Sequence, residues 1–379
     1  MLSGSMTIQR LMGAMRKLSA SDLHIKVGIP PTYRINGTLR PINADALSED
    51  EADHLLDPII PERLKPRFET TGDLDFATYD ELGDRYRVNM YRAGNHVHAA
   101  IRLVKADIPN FEALHLPPIY RKLAEETNEG LILIVGVTGS GKSSTAASMI
   151  DHINATRAEN IITVEDPVEF RFANKKSIVS QREIGIDVAD YKSALRYIVR
   201  QDPDVIFIGE MRDHDTVLAA IQAAETGHLV FASMHTADTT QSFSRILEFF
   251  PIEEHGFIRS AMSGSLKAIC AQRLLPAAEG FVDEQGKQVG IVPATEVLIN
   301  TPIVRDRIKE GQDSDFPAII NSSIPDGMRS FTYSLAELVK QEKVAKRVAM
   351  EYAPNRDALD SAIKGVQVKS QMLVGKIKG

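Results

Sequence analysis

The residues best placed to do chemistry are Gly136, Gly141, Lys142 and Ser143, which meet the spacing G-x-x-x-x-G-K-S within GVTGSGKSS. The stretch follows the apolar run Leu131 to Val135 and opens a segment of helical character. Glycines there let the backbone turn so that successive N–H groups converge on an anion, and the new helix's N-terminus adds positive potential. The spacing therefore predicts a nucleotide phosphate site, with Gly136, Thr138, Gly139, Ser140, Gly141 and Ser144 in its cradle. Lys142 would reach the β/γ-phosphates of ATP, and the Ser143 hydroxyl would take a place on Mg²⁺.

Two other apolar runs end in acids, where open α/β sheets place ligands. VIFIGE ends in Glu210, and ITVEDPVEF puts Glu165, Asp166 and Glu169 at another strand end, with Asp166-Pro167 as a rigid turn. Gly209 stands where many hydrolases with this loop carry the aspartate that binds Mg²⁺. We assign Glu210 to orienting or deprotonating an attacking water and Glu165 to positioning the metal through water. His228 and His235 bracket the next apolar run, in TGHLVFASMHTAD. A neutral imidazole can sense a terminal phosphate, so His235 joins the catalytic set and His228 the nucleotide-binding set.

These residues need a sheet to hold them. Leu131 to Val135, Ile161 to Glu165, Val205 to Glu210 and Leu229 to Met234 are short apolar runs separated by helical patterns, the signature of a mostly parallel sheet covered on both faces. Ahead of them, Ile8, Leu11, Met12 and Met15 recur at helical spacing between Met6 and Leu18. DLHIKVG, TYRINGTLRPI, DLDFATYD, RYRVNMYRA and HVHAAIRLV then alternate as strands of a small sheet, with Asn36-Gly37 as a hairpin turn and a helix from Ser48 to Leu56. Residues 105–118 carry three prolines and neither period, which marks an interdomain hinge. The expected organisation is an N-terminal domain over 1–104, this hinge, an ATPase domain over 119–365 and a basic tail over 366–379. Leu335 to Met350 and Asp357 to Ala362 read as helices.

With 379 residues the chain is long enough for two or three domains. Its 44 basic and 51 acidic residues leave a net charge of −7, which gives no global attraction to nucleic acid. No apolar run approaches the roughly 20 residues needed to span a bilayer, and the N-terminus lacks a signal peptide's apolar core. The protein is therefore expected to be cytoplasmic and to reach a membrane only through partners, without insertion. The one cysteine, Cys270, falls in an apolar, helix-like stretch from Leu266 and is expected in a core.

In this order, ASDLHIKVGIPPTYRINGTLRPI, GVTGSGKSS, ITVEDPVEF, LRYIVRQDPDVIFIGEMRD and AAETGHLVFASMHTAD closely resemble the secretion-ATPase superfamily. Within it the chain looks like the retraction ATPases of type IV pili, the PilT and PilU group, from about Ile8 to about Met350. The resemblance implies an α/β protein: a PAS-like N-terminal α+β domain followed by a RecA-like P-loop ATPase domain, assembled as a homohexameric ring. Such a ring hydrolyses ATP at the cytoplasmic face of the inner membrane and drives pilin disassembly through a platform protein, and a paralogous retraction ATPase is a further implied partner.

Arginines of the smaller domain complete the site in this family. The matching segments carry the role to Arg87 and Arg102, with Arg85 as the rival to Arg87 because alternation puts both on one strand face. Closure of the domains would then couple hydrolysis to movement. Arg196, Arg200 and Arg212 are candidates for a subunit boundary. Extension motors of the superfamily carry a further N-terminal domain and a four-cysteine zinc module, which one cysteine cannot supply, so retraction is the better reading. PIVRD, at Pro302 to Asp306, departs from the AIRN-like stretch common in retraction motors, and leaves PilT-like and PilU-like roles both open. A RecA-like motor translocating DNA and an accessory ring subunit of low activity are the alternatives.

Overall fold

The computed structural model describes residues 6–365, so the tail at 366–379 lies outside the described residues. By contact the chain divides into two units. The first takes the residues up to Asp107 together with Val168–Ala173 and Glu183–Ala189, and the second takes the remainder from Ile108. A linear division of the sequence omits the two inserted segments. The first of them is tied to its unit by a bridge between Lys105 and Phe170 and by the Arg171 N–H, which donates to the Lys105 carbonyl at 2.8 Å.

The first unit is built from α1 (Ile8–Lys17), β1 (Ala20–Ile25), β2 (Thr32–Ile35), β3 (Thr38–Pro41), α2 (Glu49–Leu56), α3 (Lys65–Thr71), β4 (Asp73–Tyr79), β5 (Arg85–Ala93) and β6 (His96–Leu103). Its strands form one antiparallel sheet in the order β3-β2-β1-β6-β5-β4. Asn36 and Gly37 take positive φ, as a two-residue hairpin loop between β2 and β3 requires. Ser48 and Glu51 close a capping box at the start of α2. The helical spacing in α1 buries Ile8, Leu11, Met12 and Met15 in a core with Leu23, Phe76, Tyr86 and Ile101. The Tyr33 and Tyr86 hydroxyls donate to the Leu11 and Met12 carbonyls at 2.8 and 3.0 Å, so the helix is bonded as well as packed.

The second unit contains α4 (Ile119–Glu126), β7 (Gly130–Val135), α5 (Lys142–Thr156), β8 (Asn160–Glu165), β9 (Ile178–Glu183, whose last residue counts with the first unit), α6 (Tyr191–Ile198), β10 (Val205–Ile208), α7 (His214–Glu225), β11 (Leu229–Met234), α8 (Thr239–Glu248), α9 (His255–Ser265), β12 (Leu266–Pro276) and β13 (Ile291–Ile299). Five further helices follow: α10 (Pro302–Glu310), α11 (Phe316–Ser322), α12 (Phe331–Lys340), α13 (Lys346–Tyr352) and α14 (Arg356–Ile363). The sheet runs β13-β12-β7-β11-β10-β8-β9, with β12, β7, β11, β10 and β8 parallel and β13 antiparallel to β12. Every residue of β7, β10 and β11 is buried, which is why these strands read as unbroken apolar runs.

Two expectations fail here. Leu266 to Cys270 is the start of a strand, not a helix, because an apolar run buried on both faces has no period with which to tell the two apart. Cys270 is buried as expected, and burial pushes its thiol up to about 12. The helix expected over Leu335 to Met350 is two, α12 and α13, interrupted where Glu342 takes a φ of +57°. No helix among the described residues is long and apolar enough to cross a membrane.

Met12 is fully buried where α1 meets its sheet. Met12→Ala should therefore cost about 2–5 kcal/mol, read as a lower urea midpoint at unchanged slope. A loss within the noise would show that α1 is not part of this core.

Candidate active site

The parallel order β7-β11-β10-β8 lines up four strand ends that are far apart in sequence. They lead into the phosphate loop, His235, Glu210 and Glu165 respectively. The loop itself is tight. A Cβ on Gly136 would lie 2.3 Å from Ser140 Oγ and 2.6 Å from the Gln272 carbonyl oxygen, so that position accepts only glycine. Gly141 takes φ +89° and is the N-cap of α5, with no side chain bonded to the helix's first turn. The first N–H groups of a helix are those an anion uses. Ser143 and Ser144 stand in that turn, Thr138 and Gly139 are exposed on the loop, and Ser140 Oγ is buried without a hydrogen-bond partner.

Lys142 is folded back on its own loop. Nζ donates to the carbonyls of Gly136 at 2.8 Å and Val137 at 3.2 Å, and lies 3.4 Å from His235 Nδ1. Thr138 Oγ1 is also 3.4 Å from Nδ1, and the other ring nitrogen, Nε2, is 3.3 Å from Glu210 Oε1. The ring thus presents Nε2 to the carboxylate and Nδ1 to the Lys142 ammonium and the Thr138 hydroxyl. Lys142, His235 and Glu210 thus form one polar chain, in the order of the strands that carry them.

Gln272, on β12, clamps the loop from the other side. Its Nε2 donates to the Ser140 carbonyl at 2.6 Å, and its Oε1 accepts from Thr145 Oγ1 at 2.9 Å. The residue is missing from the set expected from sequence. An amide in the apolar stretch AICAQRLL was the available signal.

Strand β10 stops at Ile208, two residues before Glu210. The loop beyond is nevertheless held in the sheet: the Gly209 N–H donates to the Val164 carbonyl at 2.8 Å and the Met211 N–H to the Ser233 carbonyl at 2.9 Å. Glu210 Oε2 accepts from Arg212 Nη2 at 2.6 Å. Arg212, a boundary candidate by sequence, therefore belongs to the site, with a second ion pair to Asp166 at 3.8 Å. Burial raises the Glu210 pKa, but the Arg212 hydrogen bond and the charges of His235, Arg212 and Lys142 outweigh it and hold the carboxyl below its ordinary range. Glu165 Oε1, at the end of β8, accepts from Thr163 Oγ1 at 2.6 Å and Gln181 Nε2 at 3.1 Å.

Ser143, Glu165 and Glu210 offer hard oxygens, the donor type Mg²⁺ takes. No group of three or more histidine, cysteine or acidic side chains suited to hold a metal forms among the described residues. Ser143 and Glu165 are the residues that would hold such an ion.

The structure does not bring His228 to this cluster. It stands at the opposite, N-terminal end of β11, where Nδ1 lies 2.9 Å from the Ala223 carbonyl oxygen and 3.1 Å from Thr226 Oγ1. Bracketing a six-residue strand puts two residues at its two ends, not together, so His228 closes the turn after α7.

In the first unit, Asp22, Arg102 and Arg87 stand directly opposite one another across β1, β6 and β5. Facing arginines repel unless neutralised. Asp22 Oδ1 accepts from Arg102 Nε at 2.8 Å, while Arg87 has Asp75 at 3.9 Å and Glu183 at 3.6 Å. Glu183 is buried and also holds Arg85 at 2.8 Å, so the rivals Arg85 and Arg87 share one carboxylate. Burial raises the Glu183 pKa, opposed by Arg85 and Arg87.

The Glu210 pair gives a pH prediction. A carboxylate with a lowered folded pKa contributes stability above its ordinary range and loses it as pH falls through the lowered value. The destabilisation by Arg212→Gln should be full at neutral pH and shrink in acid. Thermal midpoints of both proteins across pH check this, and a pH-independent difference would refute it.

Residues 93–305 match the family described as type II/IV secretion system protein. The chain is 35% identical over 359 residues to the type IV pilus ATPase PilU of Pseudomonas aeruginosa, covering 95% of this chain and 92% of that protein. To the type IV pilus retraction ATPase PilT of the same organism it is 34% identical, covering 92% of this chain and 98% of the relative. Among solved structures, the pilus retraction motor PilT with bound ADP superposes with a TM-score of 0.84 at 37% identity, covering 94% of this chain and 99% of that one. With this family match and these full-length relatives, the chain belongs to the type II/IV secretion system protein family and is one of its ATP-hydrolysing members.

Proposed function

We propose that this protein is a mechanochemical ATPase that powers type IV pilus retraction by Mg²⁺-dependent hydrolysis. The observation that carries the reading is the polar chain Lys142–His235–Glu210 beside a glycine-lined phosphate loop, and the likeness to PilT and PilU over nearly the whole chain supports the biological role. The parallel sheet with its phosphate loop supports a RecA-like assignment for the second unit, and the six-stranded antiparallel sheet supports a PAS-like one for the first. In this reading the protein acts as a homohexamer at the cytoplasmic face of the inner membrane, engages the pilus platform protein, and works beside a paralogous ATPase. The domain limits 1–104, 105–118 and 119–365 belong to the same proposal.

Each residue has a task. Lys142 exchanges the Gly136 and Val137 carbonyls for phosphate oxygens, and the backbone N–H groups at the start of α5 take the remaining charge. Ser143, with Glu165 through water, would hold Mg²⁺, which when bound would supply charge neutralisation at the transferred phosphoryl group. Glu210 orients the attacking water. While Arg212 is bonded to it the carboxylate is a poor base, so release of that guanidinium is what restores its basicity. His235 links Glu210 to Lys142 and senses whether the lysine is engaged. Arg87 and Arg102 neutralise charge developing on the phosphoryl group, and their motion gives hydrolysis a mechanical output.

Near-equal identity to PilU and to PilT keeps an accessory role as the second reading. Turnover by the isolated protein separates the two, since an accessory subunit would hydrolyse ATP only beside its partner. Lys142→Ala should abolish nucleotide binding. Glu210→Gln should keep binding while hydrolysis falls by about 10²–10⁴-fold, and near-normal turnover by that variant would remove Glu210 from its assigned role. Arg87→Ala and Arg102→Ala should lower kcat by about 10³-fold or more, with nucleotide affinity largely kept. Stimulation of hydrolysis by DNA, weakening steeply with salt, would favour a DNA motor instead.

A further inference from the structure

Tyr191 opens α6 behind an Asp190 N-cap, and no sequence pattern marks it. Its phenol reaches back to the strand ends. A Cβ on Gly209 would lie 2.9 Å from the Tyr191 hydroxyl oxygen, 3.1 Å from Glu165 Cα and 3.2 Å from the Val164 carbonyl oxygen. The phenol therefore fills the space that a side chain at position 209 would need. Its hydroxyl is buried and has no hydrogen-bond partner. Yet Asp166, Arg212, Glu165 and Glu210 are all close enough to act on it electrostatically, while burial keeps it protonated well above neutral pH.

A buried O–H without an acceptor calls for an explanation, because such groups are nearly always paired with protein or water. Here the unpaired group lies beside the Glu165 main chain and feels the charges of Glu165 and Glu210, the two carboxylates that the proposed function gives to the metal and the attacking water. The same close packing accounts for glycine at the position where an aspartate is common among P-loop hydrolases.

We propose that Tyr191 replaces that aspartate: its hydroxyl hydrogen-bonds a water of the Mg²⁺ shell beside Glu165, which makes it a positioning residue for the metal. The proposal rests on the nucleotide reading above. Tyr191→Phe deletes the hydroxyl and keeps the ring that packs on Gly209. Gly209→Ala instead crowds the phenol at unchanged chemistry.

The test is equilibrium binding of a fluorescent ADP analogue to the full chain, with Mg²⁺ titrated and with EDTA. Tyr191→Phe should keep the affinity in EDTA within about twofold and reduce apparent Mg²⁺ affinity by about tenfold, the size of loss seen when groups behind a metal ligand are removed. Gly209→Ala should shift the Mg²⁺ titration in the same direction. An unchanged Mg²⁺ titration in Tyr191→Phe overturns the proposal, as does an equal loss with and without the metal, which would make the phenol a packing group only. Failure of the wild-type chain to bind the analogue in either condition would overturn the nucleotide reading itself.

Discussion

Hydrogen bonding between β7, β11 and β10 is the constraint from which the site follows. Parallel pairing sets Met234 beside Val135 and Ile208 beside Ala232, so three chains leave the sheet on one edge within reach of one another. An ammonium, an imidazole and a carboxylate at those exits fall into contact in the same order. Burial of β7, β10 and β11 on both faces makes the framework rigid, and rigidity at strand ends is what lets short polar side chains meet at hydrogen-bond distance.

Around this row, backbone and side chains divide the work. Gln272 ties the phosphate loop to β12 and to the first turns of α5, while Gly136 and Gly141 give it room to do so. The loop carrying Glu210 is held by backbone bonds to β8 and β11 after its own strand has ended. Both devices fix the main chain and leave Lys142, Glu210 and Arg212 bonded mainly to each other or to the loop. Those bonds are charge-assisted and exchangeable, which suits groups that must trade partners for a phosphate.

A comparable balance holds in the first unit. Arg87 and Arg102 face each other across β5 and β6, an arrangement that is stable only because Asp22, Asp75 and Glu183 compensate them. Guanidinium groups kept charged and oriented by carboxylates are ready for a more strongly charged partner.

The amino-acid sequence by itself determined most of the elements and the phosphate loop. Unbroken apolar runs gave the buried strands, helical spacing gave α1, Asn36-Gly37 gave the hairpin, and the glycine-lysine spacing gave the cradle, because each of these signals is local in the chain. It also placed Glu210, Glu165 and His235 correctly at strand ends. Only the tertiary structure decided which ends meet: the direction of β11 takes His228 away from the end that carries His235, and the pairing of β12 with β7 brings Gln272 to the phosphate loop. Contacts across more than a hundred residues, such as Gln272 with Ser140 and Thr145, leave no periodic trace in a sequence. They are set by which strands pair, and pairing depends on the packing of the whole sheet.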